Sequence, residues 1–125
     1  MPIVVIGLSH RSAPVTVRER FAFAEAAIPG ALGKLREACL AQEGVIVSTC
    51  NRVELYVVTP DERGQTLEAL RQFLVDCHQY HEALDGQIYT LTEPQSLEHL
   101  FKVACGLDSM VLGEPQILGQ MKEAV

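Results

Sequence analysis

The chain has 125 residues, of which 48% are hydrophobic and 21% charged, a composition typical of one globular domain with its own apolar core. Its formal net charge is -6, from 10 basic and 16 acidic residues, which excludes a domain that grips nucleic acid over a broad basic surface. No apolar run approaches the roughly 20 residues that span a bilayer. The four cysteines are scattered with no C-x-x-C pair, so we expect a cytoplasmic protein with reduced thiols.

The first half of the chain predicts strands separated by helical segments. Residues 3–6 are short, β-branched and followed by a glycine, which predicts a buried strand. Thr16 and Glu19 have capping-box spacing, so a short helical turn is expected to about residue 22. A helix should begin near Ile28, with one apolar face. That face comprises Ile28, Leu32, Leu35 and Cys39.

Two adjacent strands and a second long helix are expected next. Residues 45–47 form an apolar run that predicts a buried strand, and residues 53–58 alternate as a half-buried strand does. A helix is then expected from about residue 66 to residue 81. Its apolar face comprises Leu67, Leu70, Leu74, Cys77 and His81.

The last part predicts one more strand and appended helices. Residues 88–91 form a short strand, and Pro94 opens a helix that runs to about Cys105. We expect the buried stripe of that helix to comprise Leu97, Leu100, Phe101 and Ala104. A further helix should begin after Pro115.

This order of elements predicts an α+β fold of the ferredoxin-like type. The order β-α-β-β-α-β is that of the split βαβ arrangement. Right-handed crossovers would place both long helices on one face of a four-stranded antiparallel sheet, with the C-terminal helices appended. We expect residues 1–125 to form a single domain.

The segment from Ser48 to Arg52 carries the most specific chemical signal. It places Cys50 on a tight turn between two strands, where its sulfur would be held outward beside Arg52. A nearby cation favours the thiolate, which is the reactive form. A nucleophile beside a guanidinium that holds an anionic substrate is one interpretation. A structural cysteine at a strand end is the other, and the residues alone favour neither.

The other cysteines and two of the histidines are weaker candidates. Cys39 and Cys77 fall on apolar helix stripes and are expected to be small buried hydrophobes, whereas Cys105 is ambiguous. His78 and His81 follow Cys77 without a second ligand pair, so we expect no metal site there.

His99 and the C-terminal segment allow two interpretations each. His99 lies away from the expected stripe of its helix, so it is either a solvated surface residue or an acid–base group facing a cleft. Ser109, Glu114 and Gln116 could bind a small polar substrate or cap helix ends. The dinucleotide fingerprint G-x-G-x-x-G is absent, so the sequence has no visible nicotinamide site.

Three segments together resemble the N-terminal domain of the glutamyl-tRNA reductase family. They are residues 7–15 with Arg18 and Glu19, which read GLSHRSAPV and RE, residues 48–54, which read STCNRVE, and residues 99–122, which include GLDSMVLGEPQILGQMK. The resemblance covers the chain in order, with Met121 a small departure where a β-branched residue is more usual. The family continues into an NADPH-binding domain and a helical dimerisation domain, both absent from this sequence.

The resemblance implies a reaction and roles for particular residues. The family reduces the glutamyl group of glutamyl-tRNA to glutamate-1-semialdehyde with NADPH, the entry step of tetrapyrrole biosynthesis. It implies that Cys50 is the nucleophile that forms a thioester, and that His99 is a site histidine that assists the tRNA leaving group. The implied glutamate-recognition residues are Thr49, Asn51, Arg52, Ser109, Glu114 and Gln116.

The resemblance also implies partners. These are the aminoacyl end of glutamyl-tRNA, a second subunit bound through the missing C-terminal domain, and possibly the glutamate-1-semialdehyde aminomutase, with no membrane. NADPH would be bound by the missing downstream domain and no metal by this chain. A non-catalytic binding module is the main rival, because ferredoxin-like folds host many functions. A thiol redox protein is disfavoured, because no second cysteine lies near Cys50 in sequence.

Overall fold

A computed structural model describes residues 2–60, 64–80, 82 and 86–105. Within them lie four strands and four α-helices, joined in one place by a 3-10 turn at Glu25–Ala27. In chain order they are β1 Ile3–Ser9, α1 Val15–Phe21, α2 Ile28–Glu37, β2 Glu43–Ser48, β3 Arg52–Val58, α3 Gly64–Cys77, β4 Tyr89–Leu91 and α4 Gln95–Ala104. None of the helices in these ranges is long and apolar enough to cross a membrane.

The four strands form one antiparallel sheet in the order β2-β3-β1-β4. Strand β1 pairs with β3 along its whole length, from Ile3 opposite Val58 to Ser9 opposite Arg52. On its other side β1 pairs with the short strand β4. The predicted α+β fold with a four-stranded antiparallel sheet is therefore confirmed.

The first face of the sheet carries the larger apolar cluster. It joins β-strand residues to the inward sides of α2 and α3, which contribute Ala31, Leu35, Leu70 and Leu74. The strand residues are Val4, Ile6, Leu8, Ile46, Val53, Leu55 and Val57. Successive residues of a strand point to opposite faces, so the alternate residues of β1 and β3 must face the other way.

The second face of the sheet is covered by α4. Here Val5, Val47 and Tyr56 pack with Val103 of α4 in a smaller cluster. Every residue of β3 except Val58 is therefore buried. The prediction of a half-buried strand was wrong, because the alternating polar residues of β3 face a helix and not solvent.

Helix α4 packs against the sheet with a different side from the one that its apolar residues predict. Ser96 and Val103 are buried, whereas Phe101 is 68% exposed. The Ser96 hydroxyl donates a hydrogen bond of 2.7 Å to the Ile3 carbonyl, and His99 turns towards the sheet. The predicted stripe was wrong at Phe101, although Leu100 does pack against the smaller cluster. A helix lying on a partly polar sheet face places its own polar residues inward.

The predicted capping box of the first helix was also wrong. The residue before α1 is Pro14, and its side chain makes no capping hydrogen bond. Thr16 lies one residue inside the helix, where its hydroxyl is past the capping position. Proline near a helix start is sterically acceptable, because the first turn has no intrahelical partner for its N–H.

Helix α2 ends before the cysteine that we expected on its apolar face. Cys39 has a φ of 58° and is exposed. The N–H of Leu40 bonds to the Leu35 carbonyl at 3.1 Å, and the N–H of Cys39 bonds to the Arg36 carbonyl at 3.0 Å. This pair of bonds is a Schellman motif, which takes a left-handed residue just past the helix. The prediction that Cys39 is buried was therefore wrong.

Helix α3 ends at Cys77, four residues before the predicted end, and Gln79 has a φ of 50°. Cys77 is half-buried. His81 and the helix predicted after Pro115 lie outside the described residues.

Candidate functional site

Cys50 lies at the tip of the hairpin that joins β2 to β3. The N–H of Thr49 donates to the Arg52 carbonyl at 2.8 Å, and the Thr49 hydroxyl accepts from the N–H groups of Asn51 and Arg52 at 3.1 and 3.3 Å. Thr49 and Asn51 are buried, each 8% exposed, whereas Cys50 is exposed. A threonine that satisfies two loop donors holds the turn in one conformation. The predicted position of Cys50, outward on a tight turn, is confirmed.

Two neighbouring segments fasten the hairpin to the rest of the domain. The N–H of His10, just after β1, donates to the Asn51 carbonyl at 2.8 Å. The N–H of Phe23, just after α1, donates to the Ser48 hydroxyl at 2.9 Å. Both bonds span distant parts of the sequence, so the thiol is carried by a rigid frame.

A cleft of about 270 Å³ adjoins Cys50. It is lined by α1, by the segment after it and by the end of β2, and it includes Arg18, Glu19, Phe23 and Ser48. Arg18 donates a hydrogen bond of 2.9 Å from Nη1 to the Ala13 carbonyl, which orients its guanidinium. Arg18 is thus a cation of the Cys50 cleft, a role that the sequence interpretation gave to Arg52.

Arg52 itself is directed into the protein. Its side chain is fully buried, and its Nη1 lies 3.3 Å from Oε1 of Glu54, which is also fully buried. Arg52 and Glu54 are two residues apart on β3 and so share the face that α4 covers. The sequence interpretation placed Arg52 beside the sulfur, and the structure places its guanidinium in a buried ion pair.

Glu54 is the centre of a buried polar cluster, which we define as Arg52, Glu54, Tyr56, Tyr89 and His99. Its Oε1 accepts a hydrogen bond of 2.6 Å from the Tyr56 hydroxyl in addition to the Arg52 contact. Its Oε2 accepts from the Tyr89 hydroxyl and lies 2.5 Å from Nε2 of His99. A buried carboxylate is tolerated when donors and charges surround it in this way.

The charges of the buried polar cluster set its protonation state. Burial raises the pKa of Glu54, but the hydrogen bond and charge of His99, the charge of Arg52 and the Tyr56 hydrogen bond outweigh it, so the pKa lies below the ordinary value. Burial and the Glu54 charge raise the pKa values of Tyr56 and Tyr89. Glu54 is therefore ionised at neutral pH, and both phenols remain hydrogen-bond donors.

Gly7 makes the long reach of Tyr89 to Glu54 possible. On β1, Gly7 lies opposite Glu54 of β3 on one side and opposite Tyr89 of β4 on the other. Adjacent strands are about 4.8 Å apart, so the Tyr89 ring must cross the whole width of β1. A Cβ on Gly7 would lie 2.1 Å from the Val53 carbonyl oxygen and 3.0 Å from Cγ of Glu54. The missing side chain leaves room for the carboxylate and the phenol.

His99 faces the sheet between two tyrosines. Its ring lies 6.4 Å from that of Tyr56 in a stacked arrangement and 5.9 Å from that of Tyr89 in an edge contact. Its side chain is 14% exposed. The interpretation of His99 as a solvated surface residue was therefore wrong.

The remaining exposed part of His99 lines a second cleft, of about 250 Å³, with Ser9, Arg11, Ser12, Tyr89 and Leu91. Cys50 is not among the residues that line this cleft. Among the residues that the structure describes, Cys50 and His99 therefore line different clefts, one at the hairpin tip and one at the edge of α4.

The residues that the sequence interpretation missed are Glu54, Tyr56 and Tyr89. A signal for the first two was available, because Arg52, Glu54 and Tyr56 recur with the period of one strand face. Tyr89 could be found only from the strand pairing. Ser109, Glu114 and Gln116 lie outside the described residues.

His78 has structural contacts and lines neither the Cys50 cleft nor the His99 cleft. His78 packs its ring against Phe21 and Phe23, and its Nδ1 lies 3.0 Å from the Leu74 carbonyl. In the part of the chain that the structure describes, no group of three or more His, Cys, Asp or Glu side chains is arranged to hold a metal ion.

Comparison with known proteins identifies the family. The family model described as "Glutamyl-tRNAGlu reductase, N-terminal domain" matches residues 6–125. This chain belongs to that family. It is 49% identical over 126 residues to a glutamyl-tRNA reductase of Neisseria gonorrhoeae, covering 100% of this chain and 29% of that protein. It is 50% identical over 124 residues to the Stenotrophomonas maltophilia glutamyl-tRNA reductase, covering 99% of this chain and 27% of that protein.

A solved structure of the glutamyl-tRNA reductase from Methanopyrus kandleri is also similar. It superposes with a TM-score of 0.73 at 29% sequence identity, covering 98% of this chain and 27% of that one. The chain thus spans less than a third of the length of its glutamyl-tRNA reductase relatives. The predicted resemblance to the N-terminal domain of this family is confirmed.

Proposed function

We propose that this chain is the catalytic domain of an NADPH-dependent glutamyl-tRNA reductase, and that the Cys50 thiolate attacks the aminoacyl ester of glutamyl-tRNA. The observation that carries the proposal is the exposed Cys50 thiol, held at the tip of a hydrogen-bonded hairpin. The names of the relatives support glutamyl-tRNA as the substrate. A covalent thioester divides a difficult reduction into two easier steps, which is the usual reason for a nucleophilic cysteine.

The first step forms a thioester. Sγ of Cys50 bonds to the ester carbonyl carbon, and the bond from that carbon to the ribose oxygen of the tRNA breaks. The departing oxygen takes a proton, for which His99 is the proposed donor. The hairpin contributes by holding the sulfur in one place, which lowers the entropy lost on reaching the reactive geometry.

Recognition of the glutamyl group is proposed to use several polar side chains. Arg52 would bind the γ-carboxylate, since a planar guanidinium has five N–H donors and suits that group. Arg18 adds a second cation, which lines the Cys50 cleft. Thr49 and Asn51, with Ser109, Glu114 and Gln116 beyond the described residues, complete the proposed set, in which Glu114 would bind the α-ammonium.

The hydride step is proposed for the whole protein. The sequence has no G-x-G-x-x-G fingerprint. We therefore propose that NADPH is bound by a domain outside this chain. Its product would be glutamate-1-semialdehyde for tetrapyrrole synthesis.

The same proposal includes a cellular location, an oligomeric state and a partner. We propose that the enzyme is cytoplasmic and forms a homodimer through a domain outside this chain. Its product would pass to the glutamate-1-semialdehyde aminomutase. Residues 1–125 are proposed to form one domain of the ferredoxin-like βαββαβ type. The strand order β4-β1-β3-β2, and the packing of α2 and α3 in one apolar cluster, support that fold type.

A trapping experiment tests the proposed nucleophile. The chain is incubated with radiolabelled glutamyl-tRNA without NADPH, quenched in acid, and examined for glutamate on the protein that hydroxylamine releases. We expect label on the wild-type chain and none on Cys50→Ser. Cys39→Ser is the matched control, because Cys39 is also exposed but precedes the start of β2, whereas Cys50 follows its end. This variant should label as the wild type does. Absence of label on folded wild-type protein, or equal label on Cys50→Ser, would contradict the proposal.

A further inference from the structure

We infer that Glu54 is a positioning residue for His99: it fixes the imidazole hydrogen on Nε2 and leaves Nδ1 as the ring atom that exchanges a proton with the substrate. The second half of this inference rests on the proposed function. The first half concerns the chain alone and is tested without substrate.

The contacts of Glu54 fix where the hydrogen must be. Its carboxylate is fully buried and ion-paired with Arg52, and it accepts from the hydroxyls of Tyr56 and Tyr89. An ionised carboxylate only accepts hydrogen bonds. His99 approaches Oε2 through Nε2 at 2.5 Å, so Nε2 carries the hydrogen of that bond.

The tyrosines hold the imidazole plane. Tyr56 stacks on the ring at an interplanar angle of 19°, and Tyr89 meets it at 65°. A 180° flip within that plane would place Cε1 against Oε2 in place of Nε2, so it would break the bond to Glu54. Among the described residues, the ring makes no hydrogen bond other than the one from Nε2.

The position of the ring leaves Nδ1 for chemistry. The exposed part of His99 lines the cleft that also contains Arg11, Ser9 and Ser12. Neutral His99 with its hydrogen on Nε2 has a lone pair on Nδ1, and the imidazolium has a proton there. A buried carboxylate that fixes a histidine tautomer is the arrangement of the Ser-His-Asp triads, where its loss leaves the wrong tautomer.

This arrangement identifies the donor of the proton that the leaving ribose oxygen takes during thioester formation. When the carbonyl–oxygen bond of the ester breaks, the proton on Nδ1 passes to the ribose oxygen, and the bond to Glu54 through Nε2–H is kept. The same atom then accepts a proton from solvent to restore the imidazolium. Glu54 touches no substrate in this scheme and acts only through His99.

Ring nitrogen spectra of the ¹⁵N-labelled chain test the tautomer directly. Long-range ¹H–¹⁵N correlations distinguish a protonated from an unprotonated ring nitrogen, and His99→Gln identifies the His99 signals. For neutral His99 we expect a protonated Nε2 and an unprotonated Nδ1. Glu54→Gln should give a mixture of tautomers, since an amide both donates and accepts. Tyr56→Phe is the matched control, because it keeps the stacked ring and removes only the bond to Oε1, and it should keep the wild-type tautomer.

The wild-type spectrum alone shows whether the hydrogen of neutral His99 is on Nε2, even if Glu54→Gln fails to fold. A hydrogen on Nδ1 in neutral wild-type His99, or an unchanged tautomer in folded Glu54→Gln, would overturn the inference.

Rates of glutamyl transfer test the second half of the inference, in which Nδ1 of His99 exchanges a proton with the substrate. Glu54→Gln should slow glutamyl transfer to Cys50 by about 100-fold, the scale of one general-acid contribution, while the alkylation rate of Cys50 by iodoacetamide stays unchanged. In a His99→Gln background the same change should cause no further loss, because the two residues act as one unit. A multiplicative further loss would refute positioning. A wild-type chain that has the expected tautomer but accepts no glutamate would refute the proposed function and leave the tautomer assignment standing.

Discussion

Replacement of Gly7 by alanine should destabilise the domain through the contact that its new methyl group makes. That Cβ would lie 2.1 Å from the Val53 carbonyl oxygen and 2.8 Å from Cα of Glu54, and real Cβ atoms essentially never approach closer than 3.0 Å. Strand β3 would have to move by about 1 Å while packed on both faces, and overpacking of this kind costs about 1–3 kcal/mol. We expect Gly7→Ala to lower the free energy of unfolding by about 3 kcal/mol, at the upper end because backbone must move.

Urea unfolding followed by far-ultraviolet circular dichroism measures this change. The matched control is Gly33→Ala in α2, since a Cβ there meets nothing within 4 Å. Alanine favours a helix interior over glycine by about 0.5–1 kcal/mol, so this variant should be more stable than the wild type. The same chemical change thus has opposite signs at two sites. A Gly7→Ala chain as stable as the wild type would refute the described packing of β1 against β3.

Three further outcomes follow from burial and charge. The pKa of Glu54 is held below its ordinary value of 4.5 in the folded state. The contribution of Glu54 to stability is therefore complete above that pH and is lost as the pH falls through the folded-state pKa. Urea midpoints measured down the acid range should therefore fall less steeply for Glu54→Gln than for the wild type, and parallel curves would contradict this. On α4, Val103→Ala should cost about 1.5–3 kcal/mol in thermal or urea unfolding. Phe101→Ser should cost within about 0.5 kcal/mol, since Phe101 is 68% exposed, and equal losses would contradict the orientation of the helix. Burial raises the pKa of the Cys77 thiol, so mass spectrometry should find Cys77 alkylated by iodoacetamide more slowly than the exposed Cys50; faster labelling of Cys77 would count against the described burial.

The strands could be predicted because their signal is local. Residues 3–6, 45–47 and 53–58 are β-branched or alternate, and a strand needs little else to be recognised. The order of elements then leaves few ways to build the sheet. The tip position of Cys50 followed in the same way, since a cysteine between two adjoining strands must lie in their turn.

The orientation of α4 could not be predicted, because periodicity assumes that a helix buries its apolar side. The face of the sheet beneath α4 carries Arg52 and Glu54, and so His99 packs inward while Phe101 stays exposed. The strand pattern places Arg52 and Glu54 on one face, but the contacts of Glu54 with Tyr89 and His99 are visible only when distant segments are brought together. The prediction that Cys39 is buried was wrong for a different reason. The position of Cys39 depends on how α2 ends and not on the apolar pattern of that helix.

The three-residue strand β4 has little pairing of its own to determine its register. Because successive strand residues point to opposite faces, a slip of one residue would place Thr90 opposite Gly7 and turn Tyr89 away from Glu54. That slip would leave a buried carboxylate without one of its donors, a loss of about 1–3 kcal/mol. The reach of Tyr89 across Gly7 therefore also selects the correct pairing of an edge strand during folding. A chain that pairs its sheet wrongly cannot assemble the surroundings of His99, so the candidate site forms only in correctly folded molecules.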